Sequence, residues 1–113
     1  MHMAHNNLNK LQSYSLPSSR YVNLTLGASG TSYKAPADGY FFIVYNMTGN
    51  SWCLCGNDSA FGIGMYNTWS SATAEGARIW CPVKKNDICK IYYQSIGNAN
   101  LKFIYSVGSA PQS

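Results

Sequence analysis

The sequence is poor in charge, and above all in acids. Charged residues make up only 11% of the 113-residue chain, and the carboxylates are Asp38, Asp58, Glu75 and Asp87. At least three of them lie in turn-like segments, where a carboxylate usually bonds the backbone. Glycoside hydrolysis needs two carboxylates that face each other across a sugar bond, and Asp58 with Glu75 is the one pair to consider. The sequence therefore points to no catalytic residue.

Histidine is missing from the body of the chain. The two histidines, His2 and His5, lie near the N-terminus. A Ser-His-Asp triad would have to recruit His5 from that tail, so nucleophilic catalysis has no support. We expect a protein that is not an enzyme and that needs no cofactor.

Long apolar runs and concentrated basic charge are also absent. No stretch is long and apolar enough to cross a bilayer, and residues 1–6 do not look like a signal peptide. We therefore expect synthesis in the cytoplasm without membrane insertion. The net charge of +4 comes from scattered residues, and Lys84-Lys85 is the one adjacent basic pair. Nucleic-acid binding needs a basic stripe, so we expect no nucleic-acid partner.

The four cysteines are Cys53, Cys55, Cys81 and Cys89. Zinc sites generally use a C-x-x-C knuckle, whereas Cys53-Leu54-Cys55 on a strand would place both thiols on one face. A disulfide between Cys81 and Cys89 across a hairpin is a second alternative. Buried free thiols without metal are the favoured interpretation, because cysteine packs as a small apolar residue.

Strand signals recur in short segments from residue 20 onward. They cover residues 20–26, 31–34, 40–46, 51–55, 60–66, 77–83, 88–95 and 101–107, separated by turn-rich segments. About eight strands at this spacing predict an all-β, antiparallel jelly-roll sandwich over residues 17–113. Residues 66–76 are predicted to form a loop with aromatic tips. Ala4, Leu8 and Leu11 form an apolar stripe, so residues 1–16 are predicted to be a helical stem or a disordered tail.

Two turn-and-strand segments carry the most information. The first is APADGY at residues 35–40, which continues into FFIVY, and the second is PVKKND at residues 82–87. Asp38-Gly39 is predicted to form a tight turn with positive φ. The following strand is apolar on both faces, which a domain this small cannot cover alone, so a second chain is expected to cover one face. The predicted interface residues are Leu8, Leu11, Phe41, Ile43, Tyr45, Phe103 and Tyr105.

These segments, with the aromatic closing strand, resemble the distal knob of bacteriophage tail fibres over roughly residues 17–109. The resemblance implies a trimeric antiparallel jelly roll, similar in outline to the C1q and tumour-necrosis-factor heads. It implies a homotrimer at the fibre tip of a virion that binds a host-cell surface glycan or outer-membrane protein. Asn86 stands where the family has glycine, and asparagine tolerates the left-handed conformation that the turn needs. Related fibres bind an axial metal through H-x-H, whereas His2 and His5 are spaced H-x-x-H.

Aromatic residues beside amides mark a candidate receptor surface. Rings stack on sugar faces and amides bond sugar hydroxyls, whereas the same rings can also pack over the end of a sandwich. The predicted receptor-binding residues are Trp52, Tyr66, Asn67, Trp69, Asn98 and Asn100. A fibre cap that recognises nothing and a C1q-like protein-binding domain are the alternative functions.

Overall fold

The computed structural model describes residues 15–57, 64–69 and 76–111 of the chain. Residues 1–14 of the predicted stem, with Leu8, Leu11 and both histidines, lie outside these residues, as do Asp58 and Glu75. In the described part no helix is long and apolar enough to span a membrane.

The described residues form six antiparallel strands in one hydrogen-bonded sheet. Their bounds are β1 Pro17–Leu24, β2 Thr31–Lys34, β3 Gly39–Asn57, β4 Gly64–Trp69, β5 Gly76–Val83 and β6 Ile88–Ser106. A short 3-10 helix, Val107–Ser109, follows β6. The all-β prediction is confirmed. The predicted strands at 40–46 and 51–55 are two halves of β3, and those at 88–95 and 101–107 fall mainly on the two halves of β6.

The strands β3 and β6 pair along their whole length and build two layers. Register shifts interrupt this pairing between Val44 and Asn46 and between Met47 and Trp52. On one side of the shifts the order is β1-β6-β3-β5, and on the other it is β2-β6-β3-β4. The halves face each other, since the ring of Tyr33 on β2 lies 6.1 Å from that of Phe41. The long strand pair therefore bends into a sandwich.

Side-chain hydrogen bonds hold the bend. Ser51 is buried, and its Oγ accepts hydrogen bonds from the backbone N–H groups of Thr48 (2.9 Å) and Gly49 (3.0 Å). The same hydroxyl donates to the Ser95 carbonyl at 2.6 Å, and so does the Thr48 hydroxyl at 2.7 Å. Asn50 and Ser95 have positive φ angles of 49° and 55°. We call this group the Ser51 clasp, because it joins the bend of β3 to the bend of β6.

The sandwich has two poles, and both bends lie at the same one. The far pole consists of the bends at 47–50 and 95–100 with the β1–β2 connection at 25–30. The terminal pole carries the β2–β3 connection at 35–38 and the β5–β6 connection at 84–87, and there the start of β1 meets the end of β6 through the pair Pro17 and Ser106. The Val107 N–H also donates to the Leu16 carbonyl at 2.8 Å. The chain therefore enters and leaves the described fold at the same pole.

Strict alternation along the strands decides which side chains form the core. Odd-numbered residues of β3 point inward, and Phe41, Ile43 and Tyr45 are at most 1% exposed. Phe103 on β6 is fully buried as well. The predicted interface role of these four residues is therefore wrong, because they are enclosed within their own chain. Tyr105 is half-buried and packs edge-on against Phe103.

Two turn predictions have different outcomes. Asn86 has φ 74°, so the left-handed turn is confirmed. Neither Asp38 nor Gly39 has positive φ, so that part of the prediction is wrong. Gly39 is needed for another reason, since a Cβ there would lie 2.2 Å from the backbone oxygen of Ile104.

Candidate functional site

The described segments of the far pole form an uncharged polar surface. Its segments at 25–30, 47–50 and 95–100 contain no acidic or basic residue. They carry hydroxyls and amides instead, and Ser29, Asn50, Asn98 and Asn100 are all exposed. Such groups donate and accept hydrogen bonds without charge, which suits a neutral hydroxyl-rich ligand.

Hydrogen bonds fix the β1–β2 connection of this pole. The Tyr93 hydroxyl donates to the Gly27 carbonyl at 2.7 Å, and the Gly27 N–H donates to the Tyr33 hydroxyl at 2.7 Å. The Ser29 hydroxyl accepts the Tyr93 N–H at 2.9 Å. A surface held in this way loses little conformational entropy when a ligand binds.

The predicted receptor residues fall into two groups. Asn98 and Asn100 lie on the far pole, and Asn98 has φ 50° at the bend of β6. Trp52 is the second residue after the β3 bend, is half-buried and stands opposite Gln94 and Thr68. The Gln94 side-chain amide donates to the Asn50 carbonyl at 3.0 Å. This bond joins the residue opposite Trp52 to the bend of β3 at the far pole.

Tyr66, Asn67 and Trp69 lie on strand β4, so the loop prediction for residues 66–69 is wrong. The backbone of β4 pairs with the second half of β3, with Trp69 opposite Ser51 and Tyr66 opposite Leu54. Trp69 therefore occupies the end of β4 nearest the far pole, Asn67 lies two positions along, and Tyr66 lies nearer the strand centre. The predicted residues 70–75 of this loop lie outside the described part.

A second surface, on the outside of the β1-β6-β3-β5 layer, is aromatic. Even-numbered residues of β3 point outward there, so Tyr40 and Phe42 meet Trp80 of β5. The Trp80 ring lies 4.4 Å from that of Phe42 and 5.8 Å from that of Tyr40. We call this surface the aromatic face; its residues are Tyr21, Tyr40, Phe42, Trp80 and Ile104.

Contiguity of exposed apolar groups distinguishes the aromatic face from ordinary surface. Tyr21 is 51% exposed and Trp80 38% exposed. Tyr21 lies opposite Ile104, which lies opposite Tyr40, so the apolar groups are contiguous across three strands. Lys102, opposite Phe42 on β6, places its Nζ 4.4 Å from the Tyr21 ring centroid and adds a positive charge within the face. Contiguous exposed apolar surface is a common feature of interaction sites.

Three of the four cysteines converge in the core. Cys55 Sγ lies 3.2 Å from Cys89 Sγ, and Cys89 Sγ lies 3.9 Å from Cys81 Sγ. All three sulfurs lie within 4.8 Å of one another, and all three side chains are fully buried. We call this group the thiol cluster. Cys53 shares its strand face with Cys55, as predicted, and is equally buried but lies outside the cluster.

The thiols differ in acidity. Hydrogen bonds from Cys55 and then from Cys89 lower the pKa of Cys81 to about 4. The bonds with Cys81 and Cys89, together with burial, raise the pKa of Cys55. Burial alone raises the pKa of Cys53 to about 12. Within the cluster, Cys81 is therefore the thiol whose pKa is lowered, whereas the pKa of Cys53 is raised. The sequence prediction of buried free thiols agrees with all four cysteines. It did not include the convergence of three of them, because Cys81 meets the other two only across the sandwich.

The described carboxylates serve the backbone. Asp38 Oδ1 accepts the Lys85 N–H at 2.8 Å, and Asp87 Oδ2 accepts the Lys84 N–H at 2.9 Å. Both lie at the terminal pole and fix its turns, as the sequence predicted for turn carboxylates.

Comparison of the chain with protein-family models, with curated proteins and with solved structures finds no match in any of the three.

Proposed function

We propose that the chain is a non-enzymatic receptor-binding knob of a phage or prophage tail fibre, which forms a homotrimer and binds a host-cell surface glycan at its far pole. The observation that carries this proposal is the separation of the poles. A stem that precedes Pro17 joins the knob at the terminal pole, so the far pole with its uncharged amides is the surface that such a fibre presents outward. The protein would then be made in the host cytoplasm and act at the fibre tip of the virion.

The strand pairing supports a jelly roll as the finer fold. A jelly roll has eight strands in two four-stranded layers. The halves of β3 and β6, counted separately, give two four-stranded layers with the orders described above. The two bends then replace two loops of the usual eight-stranded form.

A glycan suits the far pole better than a charged partner. The pole offers exposed Asn98 and Asn100 as hydrogen-bonding groups, with Trp52 and Trp69 on strands that run to it. Aromatic rings with amides recognise neutral sugars without salt-dependent attraction. One shallow site binds weakly, but simultaneous engagement of several sites raises avidity by about 10² to 10⁴.

The aromatic face is the surface that we assign to contacts between copies of the chain. It replaces the buried residues that the sequence predicted for this role. The Tyr40 hydroxyl donates to the Ser15 carbonyl, so the segment that leads from the stem reaches the edge of this face. Stems that bring three copies together would therefore bring three aromatic faces close to the same axis.

Binding can be tested on the far pole with variants that leave the core alone. Asn98→Ala and Asn100→Ala, each also combined with Trp52→Ala, are compared with Lys85→Ala, an exposed residue of the terminal pole. We expect a glycan array or whole-cell assay to show weakening of about 1–3 kcal/mol when Trp52 is lost, as for an aromatic anchor, with Lys85→Ala unchanged. Equal binding by all variants would refute the far-pole site, and inhibition by an outer-membrane protein in place of sugars would refute the glycan.

Assembly can be tested with two aromatic residues of equal exposure. Trp80 is 38% exposed on the aromatic face, and Tyr92 is 39% exposed on the outside of the other layer. Light scattering at micromolar concentration should show a trimer for the unchanged protein and for Tyr92→Glu, and a monomer for Trp80→Glu. A monomeric unchanged protein would contradict the trimer, and a trimeric Trp80→Glu variant would contradict the assigned face.

A fibre cap without recognition is the second candidate function. The aromatic face favours it, since that face would serve association alone. A trimer that binds no sugar and no host cell would identify the knob as such a cap.

A further inference from the structure

The thiol cluster is a group of potential metal ligands that the proposed function does not use. Its residues come from three strands: Cys55 from β3, Cys81 from β5 and Cys89 from β6. Their sulfurs converge although the strands belong to two layers. Packing alone would be served equally well by valine or alanine at these positions, which would bring no polarisable atoms together.

The strand register opposes a disulfide between Cys55 and Cys89. Cys55 pairs with Ile91 and Asn57 pairs with Cys89, so the two cysteines are diagonal neighbours. Diagonal neighbours have Cα atoms about 7–8 Å apart, whereas disulfides need about 4.4–6.8 Å. The two closest thiols of the cluster are therefore better placed to bind one metal ion together than to form a disulfide.

We propose that Cys55, Cys81 and Cys89 form a three-coordinate site for a soft metal ion, with Cu(I) as the ion that fits best. A metal–sulfur distance of about 2.3 Å in a trigonal site places the sulfurs about 4 Å apart. The observed separations of 3.2 Å and 3.9 Å, with the third within 4.8 Å, bracket that value. Small side-chain rotations are enough to make the three distances equal.

Ligand number selects Cu(I) over Zn²⁺. Zinc in structural sites takes four ligands in a tetrahedron. Within the described residues no histidine, carboxylate or fourth cysteine joins the cluster. Full burial of the three side chains keeps bulk water from supplying the fourth ligand. Thiolates are soft ligands that favour Cu(I), and three of them complete its coordination.

Binding must release thiol protons, because thiolates are the ligands. The protons of Cys55, Cys81 and Cys89 leave to solvent as the ion binds.

The position of the cluster shortens the path by which an ion from solvent reaches the sulfurs. Cys81 lies two residues before the end of β5, and Cys89 is the second residue of β6. The cluster is therefore buried at the terminal pole and close to the strand ends, where local opening costs least.

The test uses the full chain, loaded anaerobically with Cu(I) and challenged with a Cu(I) chelator. Native mass spectrometry should show one copper ion per chain that survives the chelator. Cys81→Ala and Cys89→Ala each remove a direct ligand. Each should weaken copper retention by more than about 10–100-fold, which is the usual effect of losing a group that only supports a ligand. The control Cys53→Ala removes an equally buried thiol outside the cluster and should retain the ion.

A measurement on the unchanged protein covers the case of variants that do not fold. Copper X-ray absorption should show three sulfur neighbours at about 2.3 Å. Absence of retained copper, retention of zinc in its place, fewer than three sulfur neighbours, or equal loss in Cys53→Ala would each overturn the proposal.

Discussion

Gly39→Ala should destabilise the protein through a single methyl group. The new Cβ would lie 2.2 Å from the Ile104 oxygen and 2.7 Å from Phe103 Cζ. Real Cβ atoms essentially never approach closer than 3.0 Å, so β3 and β6 must separate by about 0.8 Å at this point. The first atom belongs to the backbone and the second to a fully buried ring, so neither can swing away.

The expected magnitude follows from two opposing effects. Overpacking of this kind costs about 1–3 kcal/mol, and the rigid neighbours favour the upper end. Replacement of glycine restricts the unfolded chain and returns about 0.4–1 kcal/mol. The net loss in free energy of unfolding is therefore about 2 kcal/mol, which lowers Tm by about 10 °C for a domain of this size.

Denaturant titration at one fixed protein concentration is the assay, since association affects apparent stability. Gly76→Ala is the matched control, because that glycine also lies in a strand, has no positive φ, and its Cβ would meet nothing closer than 3.9 Å. It should be neutral or slightly stabilising. Equal stability of Gly39→Ala and Gly76→Ala would refute the close-approach argument.

Three further predictions concern the bend, a turn and a buried thiol. Ser51→Ala leaves the Thr48 and Gly49 N–H groups without their acceptor and should cost about 1–3 kcal/mol in denaturant titration, whereas exposed Ser32→Ala should cost almost nothing. Asn86→Gly should be neutral or stabilising at φ 74°, whereas Asn86→Val should cost about 1–2 kcal/mol; a tolerated valine would contradict the left-handed turn. Folding raises the pKa of Cys53 from 9.0 to about 12, so this thiol's stabilising contribution is complete below pH 9 and is lost as the pH rises toward 12. Cys53→Ala should flatten that alkaline decline in unfolding free energy, and an unchanged slope would exclude Cys53 as its source.

The sequence predicts the strands well because their signals are local. Alternation and turn residues placed most of the strand segments, and the chemistry of asparagine predicted the turn at Asn86. The sequence also predicted turn-rich segments at 48–50 and 97–100, between strand segments. It could not show that these are bends within continuous strands, because that depends on the Ser51 clasp, whose members lie 44 residues apart.

Three misses have separate causes in the pattern. In residues 40–45 both faces of the strand are apolar, so the sequence alone does not tell whether Phe41 or Phe42 faces the core. At β4, Asn67 and Thr68 between two aromatic residues weaken the local strand signal, and pairing with β3 overrides it. The thiol cluster joins residues from two layers, so no spacing rule along the chain reveals it.

For the proposed fibre knob, the pairing of Pro17 with Ser106 also decides the response to force. When a stem attached before Pro17 is pulled while the far pole is held fixed, the load runs along β1 parallel to its neighbour β6. Five paired positions of these strands, from Pro17 to Leu24, then slide against each other and share the load in shear. A chain that left from the opposite pole would instead open such pairs one after another. The antiparallel closure at the terminal pole therefore makes a mechanically resistant attachment point.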